Sequence, residues 1–431
     1  MRVLSADWVV PVEGNPIQNG AVAIDDGRIA AVAPTSELGS DEHFEDAVIV
    51  PGFVNAHSHL EYAVYAGFGD GLSFAPWIVI HIERKARIGL SEMEAIARLG
   101  AAECLRSGIT TVGDCSFSGA AATACADLGL RAIVYLEVFG TGTEQLETRY
   151  ADMRARLDGA LRSDVILGIS PHAPYTCSPE LYEACTELGV PLATHFNESA
   201  DELTWLEHGA GPWEALADEL PAPLGESGIR ALARRGLLSP RFLAAHCVKV
   251  DAEEIALLAE HDVAVVHCPR SNALLGCGIA PVAELRAAGV RLGLGTDSPA
   301  STPSFDMFEE LRTAVFAARA RSERPDALST GEALQLATLG SAQALGLDHE
   351  VGSLVPGKRA DLTVVSLAGS PFLPWEDPVT AVVLGGSPER VVATLVSGEA
   401  RYEKGGEAWL ELIDAARSAR SRLLSLVAAT S

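Results

Sequence analysis

The sequence contains no apolar run long enough to cross a bilayer, and its first residues lack the features of a signal peptide. These absences predict a cytoplasmic protein without a membrane span. The eight cysteines are scattered and form no Cys-x-x-Cys pair. In a chain of 431 residues this distribution is typical of reduced core thiols and argues against a disulfide framework.

Positive charge is scarce: 32 Lys and Arg stand against 58 Asp and Glu, for a net charge of -26. Nucleic acids and anionic membranes both require a cationic footprint on their partner, so we expect neither of them to bind. We expect a small-molecule partner instead. The sequence leaves the oligomeric state open, a homodimer included.

A Gly-x-Gly-x-x-Gly phosphate turn is also absent, which disfavours a doubly wound open sheet. Apolar strands alternate with helical segments, whose start signals lie at Ser91, Ser178 and Asp251. The predicted strands are 48–57, 109–115, 131–138, 165–171, 191–196, 242–247, 262–268 and 291–297. Eight such units are typical of an α/β fold of the (β/α)8 TIM-like barrel type.

The two ends of the chain are rich in strands. Residues 1–50 contain a hairpin signal at Asp26-Gly27, and 352–431 combine further strands with a final helix over 407–428. We therefore expect one small β-sandwich domain built from both ends, 1–50 plus 352–431. The catalytic barrel is expected over 51–351.

Two connections exceed the usual length of about 2–6 residues for a loop after a barrel strand. They are 60–90, which carries Phe68, Phe74 and Trp77, and 199–227. Long loops at the carboxyl ends of barrel strands build binding pockets, so Trp77 is a candidate substrate contact.

His57 and His59 follow the apolar run 47–50 and are two residues apart. In an extended backbone both imidazoles point to the same face and form half of a transition-metal site. The alternative is a polar pair in a surface loop.

Further polar side chains end other predicted strands: His172, His195, His246, His267 and Asp297. A barrel brings strand ends to one mouth, where a repeated arrangement is hard to explain by core packing. Glu198 follows His195 by three residues. His172 and His267 could contact substrate there, or be ordinary polar residues.

Three imidazole nitrogens from His57, His59 and His195 with a carboxylate oxygen from Asp297 suit zinc and leave a position for water. Zinc lowers the pKa of such a water from about 15.7 to about 7. Glu198 is placed to move a proton to a substrate nitrogen. Asp297 could accept the proton of the water, and His246 could hold the hydroxide or polarise the attacked carbon.

These motifs resemble the amidohydrolase superfamily, in the branch of cytosine, guanine and S-adenosylhomocysteine/methylthioadenosine deaminases and triazine hydrolases. They are His57-Ser58-His59, His195-Phe196-Asn197-Glu198, His246, His267-Cys268-Pro269-Arg270 and Thr296-Asp297-Ser298. The resemblance implies one Zn²⁺ or Fe²⁺ held by His57, His59, His195 and Asp297, with Glu198 and His246 as catalytic helpers. Binuclear relatives carry a carboxylated lysine on the fourth strand, and no lysine falls on 165–171 here.

The resemblance implies a deaminase acting on an aminopurine nucleoside or a related N-heterocycle. Similarity to aminodeoxyfutalosine deaminases implies a 6-aminopurine nucleoside that carries an aromatic acid. The carboxylate of this acid could contact Arg84, Lys85, Arg87 or Arg270. A hydrolase with another leaving group, such as chloride from a triazine, would share the metal site. A non-catalytic scaffold is the third reading, and the complete set of ligands and acid–base groups argues against it.

Overall fold

The computed structural model describes residues 1–144, 146–158, 164–406 and 408–427. Its strands are β1 Arg2–Val9, β2 Ile17–Asp25, β3 Arg28–Pro34, β4 Glu42–Pro51, β5 Phe53–Ser58, β6 Ile109–Ser116, β7 Arg131–Val138, β8 Val165–Pro171, β9 Leu192–Phe196, β10 Phe242–His246, β11 Ala264–His267, β12 Leu292–Leu294, β13 Leu362–Ser366, β14 Val391–Val396 and β15 Glu399–Glu403.

The α-helices are α1 Thr35–Leu38, α2 Phe74–Lys85, α3 Leu90–Arg106, α4 Ala120–Leu128, α5 Leu146–Asp158, α6 Pro179–Glu187, α7 Ala200–His208, α8 Gly228–Arg234, α9 Ala252–Glu260, α10 Pro269–Leu274, α11 Val282–Ala287, α12 Met307–Ser322, α13 Thr330–Gln335, α14 Ser341–Ala344, α15 Pro378–Gly385 and α16 Ala408–Val427. Short 3₁₀ turns occupy Leu60–Tyr62, Pro212–Leu216 and Pro388–Arg390, and a π-helical turn, Leu336–Gly340, joins α13 to α14.

Strands β5 to β12 form the predicted barrel. Neighbouring strands are parallel and follow chain order. The two ends of the sheet meet at a bridge between Ser58 and Asp297, where the Asp297 N–H donates to the His57 carbonyl at 3.0 Å. Every residue of β6 and β7 is buried, because the barrel interior covers one face and the helices the other. The barrel prediction is confirmed.

The first barrel strand begins later than predicted. The run 47–50 belongs to β4, which pairs with β1 and β13 in the other sheet, and the barrel strand β5 starts only at Phe53. The chain changes sheets at Gly52, where a Cβ atom would lie 2.2 Å from the side chain of Thr110. The apolar pattern cannot separate β4 from β5, since both are buried there.

The small domain from both chain ends is a seven-stranded sheet in the order β15-β14-β13-β4-β1-β2-β3. The hairpin at Asp26-Gly27 is confirmed: Asp25 pairs with Arg28, and the two turn residues have φ of 47° and 72°. The boundaries 1–50 with 352–431, and 51–351, stay a proposal.

The C-terminal helix leaves the small sheet. In α16, Ala416, Ala419 and Leu423 join an apolar cluster with Tyr65 and Phe68 beside the barrel. The Arg422 guanidinium donates to Glu92 on α3 at 2.9 Å. This helix therefore packs on the barrel, although the sequence grouped it with the small domain; residues 407 and 428–431 lie outside the described residues.

Two of the three predicted helix N-caps, Ser178 and Asp251, are confirmed. Ser178 caps α6 by accepting the N–H of Leu181, and Asp251 and Glu254 cap α9 reciprocally. The third prediction is wrong by two residues. Glu92 accepts the N–H of Gly89, so Gly89 is the N-cap of α3 and Ser91 lies inside the helix.

Candidate active site

Side chains from the barrel strands meet in a cavity at the carboxyl ends of the strands. Of the described residues, those that line it are His59, Tyr62, Trp77, Ile78, His81, Ile82, Lys85, Glu137, Phe139, His172, Tyr175, His195, Glu198, His246, Asp297 and Ser298. Most of the predicted site residues are thus brought together, with His57 directly behind them.

Three of these strand ends have unusual backbone geometry. Asn197, His246 and Asp297 are not glycines, yet they have positive φ of 49°, 71° and 58°. Such conformations cost about 1–3 kcal/mol each and cluster at functional sites. The turn after β9 is held by Glu202, whose carboxylate accepts the N–H groups of Asn197 and Glu198 at 2.9 and 2.8 Å.

The imidazole nitrogens of β5 and β9 converge. His195 Nε2 lies 3.3 Å from His59 Nε2. His195 Nδ1 donates to the carbonyl oxygen of His172 at 2.7 Å, which leaves Nε2 of the neutral ring with a free lone pair. Burial, with the neighbouring His59 and His246, lowers the pKa of His195 to about 3, so the ring is neutral and suited to bind a metal.

Asp297 completes this group of nitrogen donors with an oxygen. Its Oδ1 lies 3.7 Å from His57 Nε2 and 3.5 Å from His59 Nε2. Its Oδ2 accepts hydrogen bonds from the hydroxyls of Ser271 and Ser301 at 2.6 and 3.0 Å. The two serines therefore fix the carboxylate with one oxygen facing the histidines.

The donor set fits a metal ion. Two nitrogens bound to tetrahedral zinc at about 2.0–2.1 Å lie about 3.3 Å apart, and the distance between the Nε2 atoms of His59 and His195 is 3.3 Å. Among the described residues, the Nε2 atoms of His57 and His246 are buried without a hydrogen-bond partner. Buried polar atoms are nearly always partnered, and a bound metal would satisfy the nitrogen of His57. His246 also lies in two of the clusters of candidate ligands, so its distances alone are compatible with ligation.

Glu198 and His246 lie beside this donor set. Glu198 Oε2 is 3.6 Å from His246 Nε2, which is 4.0 Å from Asp297 Oδ2. His246 Nδ1 lies 3.0 Å from the side-chain oxygen of Asn272, which positions the ring. Burial, together with the charges of Asp297 and Glu202, raises the pKa of Glu198 well above its usual value. The site therefore favours a protonated Glu198, the form that can give a proton away.

The predicted substrate contacts have different outcomes. Trp77 and His172 line the cavity, and the His172 ring is 4.7 Å from that of His195. His267 is buried at the end of β11 but is not among the described lining residues.

Arg270, predicted as a substrate contact, binds groups outside the cavity lining. Its guanidinium is buried and donates to Glu310 at 2.5 Å, to Glu309 at 2.7 Å and to the Ser304 carbonyl at 2.7 Å. The carboxylates of α12 therefore hold it away from the cavity.

Sequence reasoning missed Asp114 and Glu137, although both lie near the carboxyl ends of barrel strands as the histidines do. Asp114 accepts the Leu60 N–H at 2.7 Å and the Ser58 hydroxyl at 3.0 Å, which holds the chain around His59. Glu137 Oε1 lies 3.8 Å from His59 Nδ1. These carboxylates support the candidate ligands, and their strand-end positions could have found them.

The fold and site together define a barrel protein with a candidate metal centre at its strand ends. The model of the amidohydrolase family matches residues 48–401. The chain belongs to this family.

Two relatives match most of the chain. The chain is 34% identical over 412 residues to a 5-methylthioadenosine/S-adenosylhomocysteine deaminase of Moorella thermoacetica, with 92% of this chain and 93% of the relative covered. It is 33% identical over 402 residues to a 5'-deoxyadenosine deaminase of Methanothermobacter thermautotrophicus, with 90% of each chain covered.

Solved structures agree on the fold. An adenosine deaminase from Xanthomonas campestris with bound zinc has a TM-score of 0.86 at 29% identity and covers 98% of both chains. An atrazine chlorohydrolase from Arthrobacter aurescens, complexed with zinc, has a TM-score of 0.83 and covers 97% of this chain and 100% of its own. At 23% identity, this second similarity shows the fold alone.

Within the described ranges, the structure has no helix with the length and apolar character needed to cross a membrane.

Proposed function

We propose that this chain is a metal-dependent aminohydrolase that releases ammonia from the 6-amino group of an adenine nucleoside or a related compound. The observation that carries the proposal is the contact of Glu198, His246 and Asp297 in one cavity beside three further histidines. A proton donor, a polarising imidazole and a carboxylate are the groups that hydrolytic removal of an amine requires.

His57, His59, His195 and Asp297 would hold the metal, and we propose one ion per chain, Zn²⁺ before Fe²⁺. Structural neighbours with bound zinc and the donor set of this chain support that choice. Bound there, the ion would supply Lewis acidity and lower the pKa of water to about 7.

The chain's own residues then move the protons. Asp297 accepts a proton from the attacking water, and His246 Nε2 lies between Asp297 and Glu198, where it holds the oxygen against the substrate carbon. Glu198 gives its proton to the leaving nitrogen, because ammonia leaves far more readily than an amide anion. The raised pKa of Glu198 agrees with this role.

The substrate class follows from the relatives named as deaminases of adenine nucleosides. Aminodeoxyfutalosine, which adds an aromatic acid, remains within the proposed class. A triazine hydrolase is less supported, since the similarity to such enzymes shows the fold alone. The scaffold reading has no support from the site. Cytoplasmic location and a homodimer stay predictions.

The test is ammonia release by metal-replete protein from adenosine, 5'-deoxyadenosine, 5'-methylthioadenosine, S-adenosylhomocysteine, guanine, cytosine and chlorinated and aminated triazines. We expect turnover of the 6-aminopurine nucleosides above all others. Chloride release from a triazine without deamination of any purine would overturn the proposal.

A further inference from the structure

The turns that follow β9 and β10 are bonded to each other through their backbones. The Asn197 carbonyl accepts the N–H groups of Val248 and Lys249 at 3.1 and 2.8 Å. Glu198 lies on the first of these turns and His246 begins the second. The contact between the turns therefore sets the distance between the proposed proton donor and the imidazole beside it.

Both turns contain left-handed backbone. Asn197 in the first turn has a φ of 49°, and His246 and Cys247 in the second have φ of 71° and 46°. Residues other than glycine avoid this region and persist there only where the surrounding structure fixes them. The turns therefore need other groups to hold them, and two buried carboxylates make these contacts.

Glu202 holds the first turn with both of its carboxylate oxygens. It lies in the first turn of α7 and is fully buried. Oε1 accepts the Asn197 N–H at 2.9 Å, and Oε2 accepts the Glu198 N–H at 2.8 Å. In a capping box, a carboxylate at this helical position bonds to the N–H of the N-cap, which is Ser199 here. Glu202 reaches beyond the cap, to the backbone of the proposed proton donor itself.

The side chain of Asn197 ties the same turn to α9. Its Nδ2 donates to Glu254 Oε1 at 2.9 Å and to the Lys249 carbonyl at 3.2 Å. Glu254 is buried, and its other oxygen accepts the Asp251 N–H at 2.9 Å. Carboxylates from the first turns of two helices thus fix the backbone and the side chain of Asn197.

These two carboxylates lie outside the proposed reaction site. Neither Glu202 nor Glu254 is among the described residues that line the cavity, and neither is in the clusters of candidate metal ligands found among the described residues. An effect of Glu202 on the rate would therefore have to act through the residues that it positions.

We propose that Glu202 is a positioning residue of the proton transfer and that, through the turn at Asn197, it fixes Glu198 against His246. This inference rests on the proposed function, because it concerns the proton donor of the same site. Displacement of a reacting group by about 1 Å can cost about a hundredfold in rate. In Glu202→Gln, one N–H group would face the NH₂ of the new amide, which accepts no hydrogen bond.

The experiment is a double-mutant cycle of Glu202→Gln and Glu198→Gln, with 5'-deoxyadenosine as the substrate. Burial raises the pKa of Glu202 to about 7, so assays at about pH 8 keep its carboxylate ionised. Glu202→Gln alone should lower kcat at least about tenfold, as expected for loss of a hydrogen bond to a charged group, with KM and bound metal unchanged. In the Glu198→Gln background it should cost little more, because the group that it positions can no longer carry the proton.

The matched control is Glu207→Gln, which changes a carboxylate of the same helix whose side chain is 36% exposed, and which should leave kcat unchanged. Equal losses in both backgrounds would make Glu202 a residue of general structural importance and overturn the inference, as would an unchanged kcat in Glu202→Gln. Thermal unfolding shows whether each variant is folded. Asn197→Gly takes the place of Glu202→Gln in the cycle if that variant fails to fold, because glycine keeps the left-handed backbone while the bond to Glu254 is lost.

Hydrogen exchange separates this inference from the proposed function, because it needs no turnover. Glu202→Gln should speed exchange of the Val248 and Lys249 N–H groups at least about tenfold, although the substitution lies on the other turn. Unchanged exchange at these two groups would contradict the coupling of the turns. Faster exchange in a protein whose parent releases no ammonia from any purine would count against the proposed function and not against the contact between the turns.

Discussion

Replacement of Glu198 by Gln removes a proton carrier and keeps the size of the side chain. Glu198 is 6% exposed, lies 3.6 Å from His246 and is not one of the four proposed ligands. General acid–base help is worth about 10²–10⁴-fold in rate, or about 3–5 kcal/mol of barrier. We therefore expect Glu198→Gln to lose at least about a hundredfold in kcat.

The assay is steady-state ammonia release, with metal content and thermal unfolding measured on the same sample. Glu219→Gln is the matched control, since Glu219 is an exposed carboxylate in the connection that follows α7. A Glu198→Gln protein that retains its metal and works within a few fold of the parent would remove Glu198 from the proton transfer. Loss of metal in that variant would instead make Glu198 a ligand.

Three further substitutions test other parts of the structure. His195→Ala should lose bound metal on dialysis at low free metal concentration, because it removes one of four ligands. The control His208→Ala changes an exposed side chain and should keep its metal. Metal retained by both variants would mean that His195 is not a ligand. Arg270→Ala should lower the free energy of unfolding by about 3–5 kcal/mol, because Glu310 is left buried without its partner; a higher KM at unchanged stability would instead restore Arg270 as a substrate contact. Asp251→Ala should cost about 1 kcal/mol in denaturant unfolding through loss of the α9 cap, and no change would show that the cap is dispensable.

Local sequence signals predicted the parts of this molecule that depend on local chemistry. Strand periodicity, together with the rule that barrel strands end at one mouth, was enough to predict that His195, His246 and Asp297 lie together. The same rule covers Asp114 and Glu137, which were missed because acidic residues are common and neither stands in a motif like His-x-His.

Apart from the N-cap of α3, the differences concern long-range packing. Arg270 lies beside the site in sequence, but its partners Glu309 and Glu310 come from α12, which the sequence does not place next to α10. The buried run 47–50 would have the same apolar pattern in either sheet. Only its pairing with β1 and β13 shows that it belongs to the seven-stranded sheet.

The central claim is that one metal ion at the strand ends supports ammonia release. It is tested most directly by titrating metal-free protein with Zn²⁺ while bound metal per chain and turnover of 5'-deoxyadenosine are measured together. We predict that turnover rises linearly and stops at about one ion per chain, with the fold retained before metal is added. Turnover without bound metal, or a rise that ends only at two ions per chain, would contradict it.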